Sequence, residues 1–271
     1  MNQKTIDSIT LFSFENLSKY SYLTNFTSSK NGGFSPNPYA SLNLSYNVND
    51  NKAFVRKNRK KLSRITSIPF KNFIFCEQVH GSKVTVIDKN ELEKQKTKEY
   101  ILNGADAMVT DIPEICLIIL TADCVPVILF DPKKKVIAAL HAGWKGTVQL
   151  ITQKTVNAME KRYGSKTENI IACIGPSICA SCYEVGVDVI KKIKDSCSLN
   201  SEILEDRIIK NKRYLDLCKA NKEQLIFSGI NENNIEESHL CTSCSNNIFY
   251  SYRKQKGKTG RFATGIMLNQ S

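Results

Sequence analysis

Histidine is scarce in this 271-residue chain, which has three, and tryptophan occurs once. So few imidazoles exclude any centre that needs a cluster of them, and they make each histidine informative. No apolar run approaches the roughly 20 residues that span a bilayer. The first residues, Met1 to Asp7, lack the apolar core and small-residue cleavage site of a secretory signal. These absences lead us to expect a cytoplasmic protein without a membrane partner. No internal repeat or low-complexity linker divides the sequence, so a single domain over residues 1–271 is expected. Apolar residues at 41% suffice for a large core, and charged residues at 24% are ordinary for a soluble chain.

The formal charge is +12, which raises the question of a phosphate polymer as partner. Lysine outnumbers arginine 30 to 8, and the lysines are scattered rather than gathered in a stripe. Lysine, asparagine and isoleucine all have A/T-rich codons, so coding drift accounts for the excess and no nucleic-acid partner is expected. Ten cysteines in a chain of this length and compartment do not read as a disulfide framework. Cys76, Cys116 and Cys173 fall in apolar runs and read as small core residues. Cys179-Ala-Ser-Cys182 and Cys241-Thr-Ser-Cys244 have metal-like spacing, but 58 residues separate the pairs. Nothing local forces them together, and ordinary packing is favoured over a second, structural zinc.

Turn signals at Asn31-Gly32-Gly33 and Ser35-Pro36-Asn37-Pro38 break any long element before residue 50. Residues 51–66 carry a basic helical pattern with Arg56 and Arg59 on one face. Strands are predicted over 73–75 and 84–87, and the polar stretch 91–100 reads as a solvated loop or short helix. The run from Ile115 to Leu120 is continuously apolar, as in a strand buried on both faces. Further strands are predicted over 125–130, 136–140, 170–174, 248–253 and 261–267. Helices are predicted over 147–163, capped by Gly164, and over 186–195 and 214–227. Mixed elements with hairpin-length connections indicate an α+β fold.

Two histidines sit in dense local sequence: His80 ends Glu77-Gln-Val-His80-Gly81, and His141 opens His141-Ala-Gly-Trp-Lys-Gly146. His239 lies in a polar, acidic stretch and is the weaker candidate. With Cys124, the first two form a soft set suited to one zinc ion with an open coordination position. The ligands lie 44 and 17 positions apart, so each would come from a different strand end, as in a catalytic rather than a structural site. Cys124 alone reads as core, and a strand-end histidine alone as a turn cap; the joint pattern outweighs both. Asp123 reads equally as a partner of the metal ligands, a general base, or a turn-forming acid. Cys124 as a nucleophile with histidine as its base is a rival reading of the same residues.

The chain resembles a known family on Tyr39-Ala-Ser-Leu-Asn-Leu44, Glu77-Gln-Val-His80-Gly81, Gly104-Ala-Asp106-Ala, Thr121-Ala-Asp-Cys124-Val-Pro126, His141-Ala-Gly-Trp-Lys-Gly146, Gly175-Pro-Ser-Ile, Cys182-Tyr-Glu-Val-Gly186 and Ser251-Tyr-Arg253. These collinear motifs, spread over about residues 30 to 268, look like those of the YfiH/YlmD family, also called laccase-domain proteins, polyphenol oxidases or peptidoglycan editing factors.

The resemblance implies two packed mixed β-sheets flanked by helices in four layers, α/β/β/α. It implies a zinc held by His80, Cys124 and His141. It also implies phosphorolysis of adenosine, inosine or methylthioadenosine, with adenosine deamination alongside. Val125 stands where the family usually has Leu, and Lys145 where it usually has Arg, which keeps the charge but loses the bidentate fork. Such chemistry needs cations for phosphate, and the candidates are Arg59, Lys145, Arg253 and Arg261, with Asn43 and Glu184 as contacts to ribose or base. Cys124 and Asp123 are the catalytic candidates, and the expected partners are purine nucleosides and phosphate acting on a monomer. The rival activities are removal of a misincorporated amino acid from a cell-wall precursor, and copper-dependent phenol oxidation. Three histidines are too few for a multicopper centre.

Overall fold

The apolar run after Ile115 forms the strand Cys116–Thr121, buried along its whole length as expected. Alternate side chains serve two cores, as the two-residue period of a strand requires. Leu117 and Ile119 face a second sheet, while Cys116, Ile118 and Leu120 pack with Leu62 and Ile65 of a helix. Leu62 and Ile65 belong to the helix Lys52–Thr66, which Asn51 caps by accepting a hydrogen bond from the Ala53 N–H. The structure is a computed structural model and describes residues 1–94, 99–196, 204–209 and 212–270.

Around this strand lies a seven-stranded mixed sheet, in the order Asn2–Ile6, Ile9–Ser13, Leu23–Ser28, Phe262–Leu268, Cys116–Thr121, Phe73–Glu77 and Tyr100–Asn103. Its last two pairings are parallel and the others antiparallel. The second sheet has six strands, in the order Ile235–Glu237, Ile171–Ile174, Val125–Asp131, Val136–Ala142, Ala107–Thr110 and Val84–Val86. Ile128, Phe130, Ile137, Ala139 and Cys173 of that sheet meet Ile74, Leu117, Ile119 and Ile266 of the first. The outer face of the second sheet is covered by Ile151–Tyr163, Val187–Lys194 and Leu217–Phe227. The four-layer α/β/β/α reading thus holds: each sheet hides one face against the other and the opposite face under helices. Among the described residues, no helix is long and apolar enough to cross a membrane.

Several expectations need correction. The helix over 147–163 is two helices, Trp144–Val148 and Ile151–Tyr163, because Leu150 takes a left-handed φ of 62°. Gly164, at φ 65°, caps the second as expected. Residues 248–253 are turns, not a strand: the N–H of Phe249 donates to Ser245 O, and that of Gln255 to Ser251 O. The apolar pattern there buries Phe249 and Tyr250 against Phe12 and Phe262 rather than marking a sheet. Residues 214–215 complete a strand, Lys212–Leu215, and the helix begins at Leu217 behind the Asp216 cap. The three N-terminal strands are additional to these expectations: each is only five or six residues long, and the first is polar and largely exposed. Of the stretch 91–100, residues 91–93 end the helix Lys89–Glu93, Tyr100 opens a strand, and 95–98 lie outside the described residues.

Candidate active site

Asp106 is where the site is built. It has no solvent exposure and sits just before the strand Ala107–Thr110. Its Oδ1 accepts from the His80 N–H at 3.0 Å and faces His141 Nδ1 at 2.8 Å. Its Oδ2 accepts from the Gly81 N–H at 2.7 Å and the Val79 N–H at 3.3 Å. The His141 N–H donates to the Asp106 carbonyl at 2.7 Å. One buried carboxylate thus fixes the loop that carries His80, which holds a left-handed φ of 59°, and orients the His141 ring. Burial opposes the charge on Asp106, but the bond to His141 and the backbone N–H groups hold its carboxyl below the usual range.

With Nδ1 of His141 turned to Asp106, the opposite ring nitrogen is the one left for Cys124. The two imidazoles stand edge to face, 4.7 Å between centroids. Donor atoms of His80, Cys124 and His141 all lie within 4.8 Å of one another. His141 ends the strand Val136–Ala142 and Cys124 the turn between Thr121 and Val125, so rigid sheet ends aim them. Burial would raise the Cys124 thiol, yet the His141 and His80 imidazoles pull it down to about 6. Burial would lower His141, but the Cys124 thiolate and Asp106 push it up to about 9. The pair therefore rests as thiolate and imidazolium near neutral pH.

Gly143 is required by contact rather than by φ. A Cβ there would lie 3.0 Å from His80 Cδ2 and 3.1 Å from Cys124 Sγ. Gly143→Ala is expected to displace both donors and lower metal affinity about tenfold or more, judged by the effect of disturbing ligand support. A competitive chelator titration measures this, and an unchanged affinity would show the contact to be slack.

Asp123 departs from the general-base reading. Its φ of 94° places it in the left-handed region. Its Oδ1 accepts from Thr242 Oγ1 at 2.6 Å and its Oδ2 from the Arg253 N–H at 2.7 Å. Its carbonyl accepts from the Ile178 N–H at 2.9 Å. Both carboxylate oxygens are engaged in tying three loops together beside Cys124.

The donor set opens into a cavity of about 580 Å³ whose lining includes Arg59, Lys145, Arg253 and Arg261. Arg59 is nearly enclosed, stacked 3.7 Å from the Phe75 ring centroid, with Nε donating to Leu44 O and NH1 to Glu99. Burial lowers its pKa to about 10. Arg253 NH1 donates to Glu184 O, and Arg261 NH1 to the carbonyls of Thr259 and Gly260. Lys145 is exposed, its Nζ 5.7 Å from the Trp144 ring.

Asn43 and Glu184 do not reach this cavity. Asn43 is fully buried, its amide donating to Ser45 O and Asp50 and accepting from the Arg261 N–H, so it shapes the wall instead. Glu184 is exposed, and its backbone carbonyl accepts from Arg253 NH1. His239 is exposed and also outside the lining.

Reading the sequence residue by residue missed Asp106, although it lay in a quoted motif, and missed the aromatic walls Tyr46, Phe75, Trp144, Tyr183 and Tyr252. It also missed Thr121, whose Oγ1 is buried without a hydrogen-bond partner among the described residues and lines the cavity. Asp106, Thr121, Trp144, Tyr183 and Tyr252 lie inside the motifs that carry the family resemblance, which is the local signal for them; Tyr46 and Phe75 carry none, since their convergence on the cavity is set by the fold. A further correction concerns the cysteines. Cys76, Cys116 and Cys173 are buried as expected, but Cys179, Cys182, Cys241 and Cys244 are brought together, their sulfurs within 4.8 Å of one another.

Over 262 residues the chain is 34% identical to a purine nucleoside phosphorylase of Bacteroides thetaiotaomicron, covering 96% of this chain and 97% of that one. It is 34% identical over 234 residues to adenosine deaminase RL5 of an unknown prokaryotic organism, covering 85% and 88%. The crystal structure of the Bacillus licheniformis protein YfiH superposes with a TM-score of 0.89 at 33% identity, covering 97% of each chain. Residues 24–269 match the family model described as multi-copper polyphenol oxidoreductase laccase, and the chain belongs to that family.

Proposed function

We propose that this protein is a zinc-dependent enzyme that cleaves purine nucleosides with phosphate and also deaminates adenosine. The observation that carries the reading is one cavity that joins a three-donor metal set, aromatic walls and four cationic side chains. The names of the relatives point to the same two activities.

The residues fit a catalytic zinc ion: two imidazoles and a thiolate converge, a carboxylate orients one imidazole, and all three donor residues line the cavity. The family description speaks of several copper ions, but three histidines in the whole chain cannot furnish such a centre. When bound, zinc would supply a Lewis acid and acidify water to a pKa of about 7. The chain's own residues do the rest. Tyr183, Tyr252 and Trp144 offer faces on which a purine can stack. Arg253 and Arg261 each commit one guanidinium nitrogen to backbone carbonyls, and among the described residues their remaining donors are available to an oxyanion. In phosphorolysis a phosphate oxygen bonds to the anomeric carbon as the bond from sugar to base breaks and the base leaves with its electron pair. In deamination water replaces the 6-amino group, which departs as ammonia. We assign Asp123 a positioning role, because its hydrogen bonds hold Arg253 and the loops beside Cys124.

Purified protein incubated with adenosine is expected to release adenine and ribose 1-phosphate only when phosphate is present, and inosine in either case. Base release that ignores phosphate, or no nucleoside turnover with the metal site filled, would overturn the proposal. Arg253→Ala is expected to raise the KM for phosphate by roughly tenfold to a hundredfold, the loss of one or two charge-assisted bonds. The KM for adenosine in phosphate-free deamination should change less.

A further inference from the structure

The cluster of Cys179, Cys182, Cys241 and Cys244 has no part in the proposed chemistry, and the fold has gone to some length to assemble it. The two pairs are 58 residues apart in sequence. A parallel bridge between Ser177 and Cys241 joins them, with the Ser177 N–H donating to Leu240 O and the Thr242 N–H to Ser177 O. All four sulfurs then lie within 4.8 Å of one another. The Cys179 N–H donates to Cys241 Sγ at 3.3 Å, and the Cys244 N–H to the same sulfur at 3.4 Å.

Packing does not account for this arrangement. Cys179 and Cys182 are half-buried and Cys244 is exposed, unlike the enclosed Cys76, Cys116 and Cys173. Two pairs, each spaced by two residues and facing each other, form the donor set of a closed tetrahedral site, which selects zinc among the common divalent ions. We propose that these four cysteines hold a second, structural zinc ion. No coordination position remains open, so this ion does no chemistry.

Its place in the fold gives it a task. Cys182 precedes Tyr183 of the cavity wall, and Thr242, between the two ligands of the second pair, holds Asp123 Oδ1. The ion therefore staples the loops that carry Tyr183 and Asp123, and through the Asp123 bond to the Arg253 N–H it steadies Arg253.

Metal analysis of protein purified under reducing conditions tests the proposal without reference to any activity. Two zinc ions per chain are expected, falling to one in the double variant Cys241→Ser/Cys244→Ser. Should that variant fail to fold, Cys124→Ala provides the complementary reading: it should retain one zinc. Its four clustered cysteines should resist N-ethylmaleimide until a chelator is added. A single zinc in the wild type that Cys124→Ala removes would overturn the proposal. So would mass-spectrometric detection of a disulfide among the four in freshly purified reduced protein, or rapid alkylation of all four before chelation. Failure of the nucleoside assay would leave these outcomes unaffected.

Discussion

Asp106→Asn is expected to lower metal affinity at the active site by about 10- to 100-fold, and activity with it, although Asp106 is not itself in the donor set. The carboxylate has two oxygens and four partners: His80 N–H, His141 Nδ1, Gly81 N–H and Val79 N–H. An amide has one oxygen, so in either orientation its NH2 faces groups that also donate. With the NH2 toward His141, the imidazole loses its acceptor and the His80 N–H is orphaned. With the NH2 toward Gly81, the part-buried N–H groups of Gly81 and Val79 lose their acceptor, each at less than the roughly 1–3 kcal/mol of a fully buried donor. Removing one partner of the buried Asp106–His141 pair should also destabilise the metal-free protein by about 3–5 kcal/mol. Chelator competition reads the first effect and the denaturant midpoint the second. Wild-type affinity in a folded Asp106→Asn protein would show that His141 keeps its orientation unaided.

The history of Asp106 illustrates what the sequence made legible. The ligand set could be read because histidine is rare and each of its members sits among unusual neighbours. The central strands could be read because a strand buried on both faces, such as Cys116–Thr121, is apolar without interruption. Asp106 could not be assigned a role by the same means, since an Asp after Gly104-Ala105 is as ready a turn former as a hydrogen-bond hub. Only the pairing of Val84–Val86 with Ala107–Thr110 brings it beneath the His80 loop. The basic residues separate in the same way. Arg253 and Arg261 reach the cavity because Asp123 and Asn43 hold their backbone N–H groups, contacts 130 and 218 positions apart. Asn43 had the right chemistry for a ribose contact, and the fold spent that chemistry on the wall. The two cysteine pairs carry a local signal in their spacing, but the bridge that joins them depends on tertiary structure alone.

Cys124→Ala is expected to abolish metal binding at the active site and both activities, since two imidazoles without the thiolate leave half a tetrahedron and no negative charge. The pH dependence of metal uptake gives a finer test of the same residue. In the metal-free site Cys124 is held down to about 6 by the imidazoles, and His141 is held up to about 9 by the thiolate and Asp106. Between these values the site rests as a thiolate facing an imidazolium whose other N–H is bound to Asp106. A metal ion must replace the proton on the ring nitrogen facing Cys124, so binding releases one proton across that range. Affinity should therefore rise about tenfold per pH unit from about 6 to about 9 and level off above it. Below about 6 the thiol must also be deprotonated, and the dependence should steepen further. Proton release measured in weakly buffered solution at pH 7.5, against a reference binding curve for the chelator, should approach one per ion taken up at this site. No proton release at that pH would mean that His141 is already neutral, and the Cys124–His141 ion pair would have to be abandoned.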